Sequence, residues 1–196
     1  MFLAILWPIG NAIKESVNFI GRSANSGNEG YSVAVVDAEA EIIESLLGVA
    51  FLVCQTNITG VVSTVINLQE FFRKNERRTP PGLDKGKSDI LAQGAEFIRG
   101  SKYTDVQAIN AFANYFKHRD EWLPDWTKLS KQQADTRDVI SAFGAKPGFS
   151  GNLRAGAEAL GNTEYSSVML FANKLEKWRM NLKNAYQEQL KAEGVI

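Results

Sequence analysis

Residues 45–69, SLLGVAFLVCQTNITGVVSTVINLQ, contain no charged side chain. Apolar residues recur every three or four positions through and around this stretch, which is the spacing of one face of an α-helix. The positions in this stripe are Ile43, Leu47, Ala50, Cys54, Ile58, Val61, Val65, Leu68 and Phe72. β-Branched residues in 58–66 favour a strand locally, but the helical spacing continues through them. The pattern predicts one long central helix.

The same stretch approaches the length of a membrane-spanning helix, which needs about 20 predominantly apolar residues. Seven polar side chains interrupt it: Gln55, Thr56, Asn57, Thr59, Ser63, Thr64 and Asn67. We therefore interpret it as a buried helix and expect no membrane span, with a membrane-associated protein as the weaker alternative. The apolar start, MFLAILWPIG, lacks a basic n-region and a small-residue cleavage pattern, and we expect it to pack against the body of the protein.

The composition is that of a globular protein, with 44% hydrophobic and 22% charged residues in 196. This length suits one domain, residues 1–196. Basic and acidic residues number 22 each, and this balance lacks the basic surplus of a general nucleic-acid binder. One histidine and one cysteine exclude an intramolecular disulfide and a zinc site built from these residues within one chain. We expect a cytoplasmic protein without cofactor or metal.

The rest of the chain also follows helical patterns, so we predict an all-α bundle of about six or seven helices. Thr104 with Gln107, and Ser130 with Gln133, match the capping box that opens a helix. The predicted helices cover about 8–22, from Asp37 to the basic cluster RKNERR (73–78), 88–99, 104–121, 130–143, 152–160 and from Glu164 onward. The loops are SANSGNEG (23–30), TPPGLDKG (79–86) and GAKPGFSG (144–151). The final helix carries a near-heptad apolar seam, Val168, Phe171, Leu175, Trp178, Leu182 and Ala185, suited to packing within the bundle or against a second chain.

His118 is the only histidine, and it lies on a polar stripe of the predicted helix 104–121. At 100° per residue, five polar residues fall on one side of that helix: Asn110, Asn114, Lys117, His118 and Glu121. A histidine can act as a general base near neutral pH, and a neighbouring amide can orient it or its substrate. His118 and Asn114 are therefore the candidate catalytic residues, and Asn110, Lys117 and Glu121 are candidate binding residues. A partly exposed histidine at a helix end is the plainer interpretation.

The sequence Asn114-Tyr115-Phe116-Lys117-His118 resembles the latter part of the R-N-x-x-x-H motif of HEPN domains. The resemblance implies a helical bacterial or archaeal domain, often a homodimer, which cleaves RNA, binds nucleotides or serves as a non-catalytic partner. Asn114 and His118 match the motif, but Ala113 stands where the family has its catalytic arginine. Arg119 follows the histidine and points about 100° away on a helix. The resemblance therefore implies a degenerate member, with a second copy, an RNA or another protein as partner.

Three further features have plain structural interpretations. The glycine-rich loop 144–152 does not match a phosphate-binding loop, and Ser150 or Asn152 is expected to cap the next helix. Glu39, Glu41 and Glu44 are expected in the first two turns of the long helix, where the helix dipole favours acids. The rings of Tyr115, Phe116, Trp122 and Trp126 are suited to stacking on bases, but burying a helix end is the commoner use of such rings.

Our leading hypothesis from the sequence is a non-catalytic interaction or oligomerisation module resembling degenerate HEPN domains. A ribonuclease or nucleotide-binding enzyme centred on Asn114 and His118 is the alternative from another class. No Glu-x-x-His pair is present, so the standard di-iron site of helical bundles is excluded.

Overall fold

The fold was analysed in a computed structural model, which describes residues 2–24, 29–74, 85–122, 126–192 and 194. Within these ranges the chain forms seven α-helices and no β-strand, which confirms the predicted all-α bundle. The helices are α1 Phe2–Ala24, α2 Glu29–Lys74, α3 Lys87–Ala92, α4 Asp105–His118, α5 Lys131–Ser141, α6 Asn152–Ala159 and α7 Met169–Ala192. Two single 3-10 turns, Arg119–Glu121 and Trp126–Lys128, follow α4.

Helix α2 is the long central helix, with 46 residues and a length of about 69 Å at 1.5 Å per residue. The predicted stripe is its buried face: Ile43, Leu47, Ala50, Cys54, Ile58, Val65 and Phe72 are buried, and Val61 and Leu68 are partly buried. The opposite face is open to solvent, so α2 is buried on one side only. Helices α1 and α4 make the largest packing surfaces against it.

The two long N-terminal helices begin earlier than predicted. Helix α1 begins at Phe2 and contains Pro8, because Leu6, Ile9 and Ile13 form one buried face that continues across the proline. Helix α2 begins at Glu29, so the predicted start of the long helix at Asp37 is wrong. Residues 25–28 of the predicted loop 23–30, and residues 75–84 with most of the RKNERR cluster, lie outside the described residues.

Both predicted capping boxes are confirmed. Thr104 Oγ1 accepts a hydrogen bond from Gln107 N at 3.3 Å, and Gln107 Oε1 accepts one from Thr104 N at 2.9 Å. Ser130 and Gln133 make the same reciprocal pair at the start of α5. Each box satisfies two backbone N–H groups that have no partner within the helix. The boxes therefore fix where α4 and α5 begin.

The predicted helix over 88–99 is wrong beyond Ala92. Gly94 adopts a φ of +74°, and a Cβ there would lie 3.0 Å from Asn181 Cβ on α7. Glycine is required for that conformation and that close approach, so the helix ends. The chain then forms a turn closed by an isolated bridge between Phe97 and Thr104.

Helix α7 packs within the bundle through the predicted seam. It begins at Met169 rather than near Glu164, because residues 162–167 form a turn held by the Asn162 side chain. Tyr186 replaces Ala185 as the last deeply buried position. The rings of Phe112, Phe51 and Phe171 stack in sequence at 5.5 and 4.9 Å and join α4, α2 and α7 in one core.

Candidate functional site

The two asparagines of the predicted polar stripe contact helix α2. Gln55 Nε2 donates to Asn114 Oδ1 at 2.6 Å, and it lies 3.3 and 3.4 Å from Oδ1 and the backbone O of Asn110. All three side chains are half-buried between α2 and α4. The amides of both candidate residues are thus engaged in a contact between helices, which leaves them less free to orient a substrate.

We expect Gln55→Ala to lower the free energy of unfolding by about 1–2 kcal/mol, because it leaves half-buried amide oxygens of α4 without a donor. Urea denaturation measures this change. Gln187→Ala, an exposed glutamine on α7, is the matched control and should change stability by less than about 0.5 kcal/mol. Equal effects of the two substitutions would contradict a role of Gln55 in joining the helices.

His118 lies at the end of α4 with a local partner. Its Nδ1 is 2.9 Å from Glu121 Oε1, and Glu121 Oε2 accepts a hydrogen bond from Gln133 Nε2 at 3.3 Å. Lys117 is exposed, and Ala113, at the position of the family's arginine, is fully buried. The five stripe residues therefore form two separate groups, one against α2 and one at the end of α4.

A cleft of about 840 Å³ opens beside this helix end, between the N-terminal half of α2, the turn after α4 and the loop before α6. Neither His118 nor Asn114 lines it. The lining side chains that carry polar or aromatic groups are Asp37, Glu41, Glu44, Ser45, Tyr115, Arg119, Asp120, Phe149, Ser150 and Arg154. This set was not predicted from the sequence, because its members come from three separate segments of the chain.

Glu44 forms the floor of the cleft and caps helix α6 from 109 residues away in sequence. Its Oε1 accepts a hydrogen bond from Leu153 N at 2.6 Å, and its Oε2 accepts one from Arg154 N at 3.2 Å. Glu44 is only 7% exposed. Because α2 begins at Glu29, the prediction that Glu39, Glu41 and Glu44 lie in the first two turns of this helix is wrong. The negative charge of Glu44 nevertheless meets a helix N-terminus, that of α6.

The predicted caps Ser150 and Asn152 are also wrong. Gly151 is the residue before α6 and makes no side-chain cap. Asn152 is buried and instead closes the loop, since its side chain bonds both the N–H and the C=O of Lys146 at 2.8 and 2.9 Å. It also donates to the Tyr115 hydroxyl at 2.9 Å. Asn152 thus attaches the loop to α4 and shapes one wall of the cleft.

Two arginines lie near Glu44, and each has guanidinium N–H groups without an acceptor among the described residues. Arg154 Nε lies 3.5 Å from Glu44 Oε2, near enough for an ion pair but without hydrogen-bond geometry, and this buried Nε has no acceptor among the described residues. The Arg119 guanidinium lies over the Phe116 ring at 4.8 Å and reaches Asp120 only at 3.9 Å. Burial raises the pKa of Glu44, and the backbone donors and both arginines partly offset this.

The aromatic cluster at the end of α4 is mostly buried. Trp122, Trp126 and Tyr115 contact one another edge to face at 5.4–5.9 Å, and each is less than 10% exposed. Rings engaged in this way bury the end of a helix and leave little face for a base. Phe116 instead lies against Gly48 of α2.

No group of three or more His, Cys, Asp or Glu side chains is placed to hold a metal ion in the described part of the chain. One helix in these ranges, α2 over Val33–Lys74, is long and apolar enough to cross a membrane by length and composition. Core helices of soluble proteins meet the same criterion, and 33% of its most apolar window is buried here. Comparisons with protein-family models, curated proteins and solved structures found no match for this chain.

Proposed function

We propose that this protein is a non-catalytic helical module that self-associates through the solvent face of α2. The observation that carries the proposal is that this face is exposed yet uncharged over residues 45–69. Its exposed members are Ser45, Val49, Thr56, Thr59, Gly60, Ser63, Thr64, Ile66 and Asn67. Solvent faces of helices in soluble proteins normally carry charges, and an uncharged face loses little when a partner covers it.

The charges at the two ends of α2 favour a second copy in antiparallel orientation as the partner. Asp37, Glu39 and Glu41 lie toward one end, and Arg73 and Lys74 form the last turn at the other. Antiparallel pairing about a two-fold axis near residue 57 brings opposite charges together at both ends. The Lys74–Glu70 pair within the helix is exposed and 3.8 Å long, so it holds Lys74 only weakly.

The side chains along the face also suit this arrangement. Thr56, Gly60 and Ser63 lie near the proposed axis, and small residues allow two helices to approach closely. Larger apolar side chains flank them, with Ile42 and Val49 on one side and Ile66 and Phe71 on the other, each 37–54% exposed. A helix pair of this length is at the small end of stable interfaces, so dissociation on dilution is expected.

The geometry around His118 supports the non-catalytic form of this proposal over a ribonuclease. Gln55 engages both asparagine amides, Glu121 binds the histidine, and the nearest large cleft is lined by neither His118 nor Asn114. The resemblance of Asn114–His118 to a degenerate HEPN motif likewise implies a dimeric protein without the catalytic arginine. RNA cleavage by the purified protein that disappears in His118→Ala would contradict the proposal.

We expect Ser63→Lys to weaken self-association at least tenfold, because it buries a lysine charge without an acidic partner in the uncharged centre of the interface. Light scattering after size exclusion, over a range of protein concentrations, measures the shift from dimer to the 21.7 kDa monomer.

Ser141→Lys is the matched control, since Ser141 is an exposed serine at the end of α5. It should leave the dissociation constant unchanged. A wild-type protein that is a monomer at every concentration, or a Ser63→Lys variant that dimerises as well as the wild type, would refute the proposal.

A further inference from the structure

A second inference concerns the cleft beside Glu44; its lining residues all belong to one chain, and two of them, Asp37 and Glu41, also lie at the acidic end of the proposed interface. Arg154 and Arg119 both line it, and both influence the Glu44 carboxylate at its floor. Glu44 uses its two oxygens on the backbone N–H groups of α6. The buried Nε of Arg154 lies 3.5 Å from Glu44, so only the terminal N–H groups of this side chain can meet a ligand, and the Arg119 guanidinium contacts the Phe116 ring and, at 3.9 Å, Asp120.

Two guanidinium groups that line one cleft favour an oxyanion ligand. Arginine presents five N–H donors in a planar fork that matches a carboxylate or phosphate. The N-terminus of α6 cannot bind this oxyanion itself, because Glu44 already occupies its first free N–H groups. The two arginine side chains are therefore the anion-binding groups.

The rim of the same cleft carries the opposite charge. Asp37 and Glu41 are exposed on the α2 wall, two turns and one turn before Glu44, respectively, and Asp120 is exposed on the other wall. Four carboxylates and two arginines line the cleft, so a polyanion such as RNA or a nucleoside triphosphate meets net repulsion. A ligand with one anionic and one cationic group meets complementary charge at both ends.

We propose that this cleft binds a small zwitterion that carries an oxyanion group and a primary amine. The oxyanion lies between Arg119 and Arg154, and the ammonium group lies at the rim near Asp37 and Glu41. The volume of about 840 Å³ is in the range of small-molecule sites. The half-exposed Phe149 ring on the loop before α6 lines the same cleft and offers an apolar surface to the body of the ligand.

Isothermal titration of the 196-residue chain tests this with glycine, γ-aminobutyrate and ε-aminocaproate, which separate the two charges by increasing lengths. Phosphoethanolamine tests phosphate in place of carboxylate as the oxyanion, and butyrate and butylamine each carry one charge only. We expect at least one zwitterion to bind at least about tenfold more tightly than either single-charge ion, the equivalent of one charged hydrogen bond. Binding of no zwitterion, or equal binding of the single-charge ions, would overturn the inference.

Variants then locate the site. Arg119→Gln and Glu41→Gln should each weaken zwitterion binding about tenfold or more, whereas Arg99→Gln, an exposed arginine outside the cleft, should not. Arg119→Lys keeps the charge without the planar fork, and intermediate binding is expected. Binding should persist in Ser63→Lys, because the site lies within one chain. If Arg119→Gln and Glu41→Gln bind as Arg99→Gln does, the site is not this cleft.

Discussion

Replacing Glu44 with alanine is expected to lower the free energy of unfolding by about 2–4 kcal/mol, because it leaves buried partners unsatisfied. The backbone N–H groups of Leu153 and Arg154 lose their acceptor, and the Arg154 guanidinium loses the carboxylate 3.5 Å away. Chemical denaturation followed by circular dichroism measures the loss. The substitution also detaches α6 from α2, so proteolysis in the loop 144–151 should become faster.

Glu41→Ala is the matched control for this prediction. Glu41 lies one turn earlier on the same helix and is exposed, so its removal should change stability by less than about 0.5 kcal/mol. Similar losses in the two variants would show that Glu44 does not cap α6.

Glu44 also gives stability a dependence on pH. Burial raises the pKa of Glu44 in the folded protein above the ordinary value of 4.5. At a pH between these two pKa values, the folded protein keeps a proton on Glu44 that the unfolded chain has lost. The proton on Glu44 therefore stabilises the folded protein. This contribution is fully present below pH 4.5 and is lost as the pH rises through the pKa of Glu44 in the folded protein. Glu44→Gln should flatten that slope. Part of it will remain, because burial raises the pKa of Asp105 in the same direction.

Gly48→Ala is expected to destabilise the protein by about 1–3 kcal/mol through overpacking. A Cβ at this position would lie 2.3 Å from Cδ2 and Cε2 of the Phe116 ring and 2.5 Å from its Cγ. Because Cγ is the base of the ring, the whole side chain must move, and the contact between α2 and α4 opens. Differential scanning calorimetry reports the loss as a lower melting temperature.

Gly60→Ala provides the matched control on the same helix. Nothing lies within 4 Å of a Cβ built at Gly60, so the higher helix propensity of alanine should stabilise α2 by up to about 1 kcal/mol. Both variants are compared at a protein concentration low enough to keep the chain monomeric. A Gly48→Ala variant as stable as Gly60→Ala would mean that Phe116 does not pack against the backbone of α2.

The sequence predicted those parts of the fold that depend on local patterns. The stripe from Ile43 to Phe72 and the capping boxes at Thr104 and Ser130 depend on residues a few positions apart, and the structure has them as predicted. The helix over 88–99 failed because Gly94 responds to α7, nearly 90 positions away in sequence. Periodicity carries no information about such a contact.

The cleft was missed for the same reason. Glu44 binds residues 109 and 110 positions away, and nothing near it in sequence names these partners. One local signal was present, since Glu44 is an acid flanked at helical spacing by the apolar residues Leu47 and Phe51. A lone carboxylate on the buried side of a helix requires a partner, and that partner was the N-terminus of α6. Asn114 and His118, the candidates from the sequence, lie close to the cleft but do not line it.

Distances between spin labels test the central claim, self-association through an antiparallel pair of α2 helices, most directly. Cys54 is buried and its pKa is raised to about 12, so a thiol-reactive label should modify only an introduced cysteine. With a label at Thr56→Cys, near the axis, we predict a separation below about 20 Å between copies, given interaxial distances of about 8–10 Å. With a label at Ile42→Cys we predict about 45 Å, from 15 residues on either side of the axis at 1.5 Å per residue. Short distances at both positions, or no dipolar coupling between copies at either, would contradict the account.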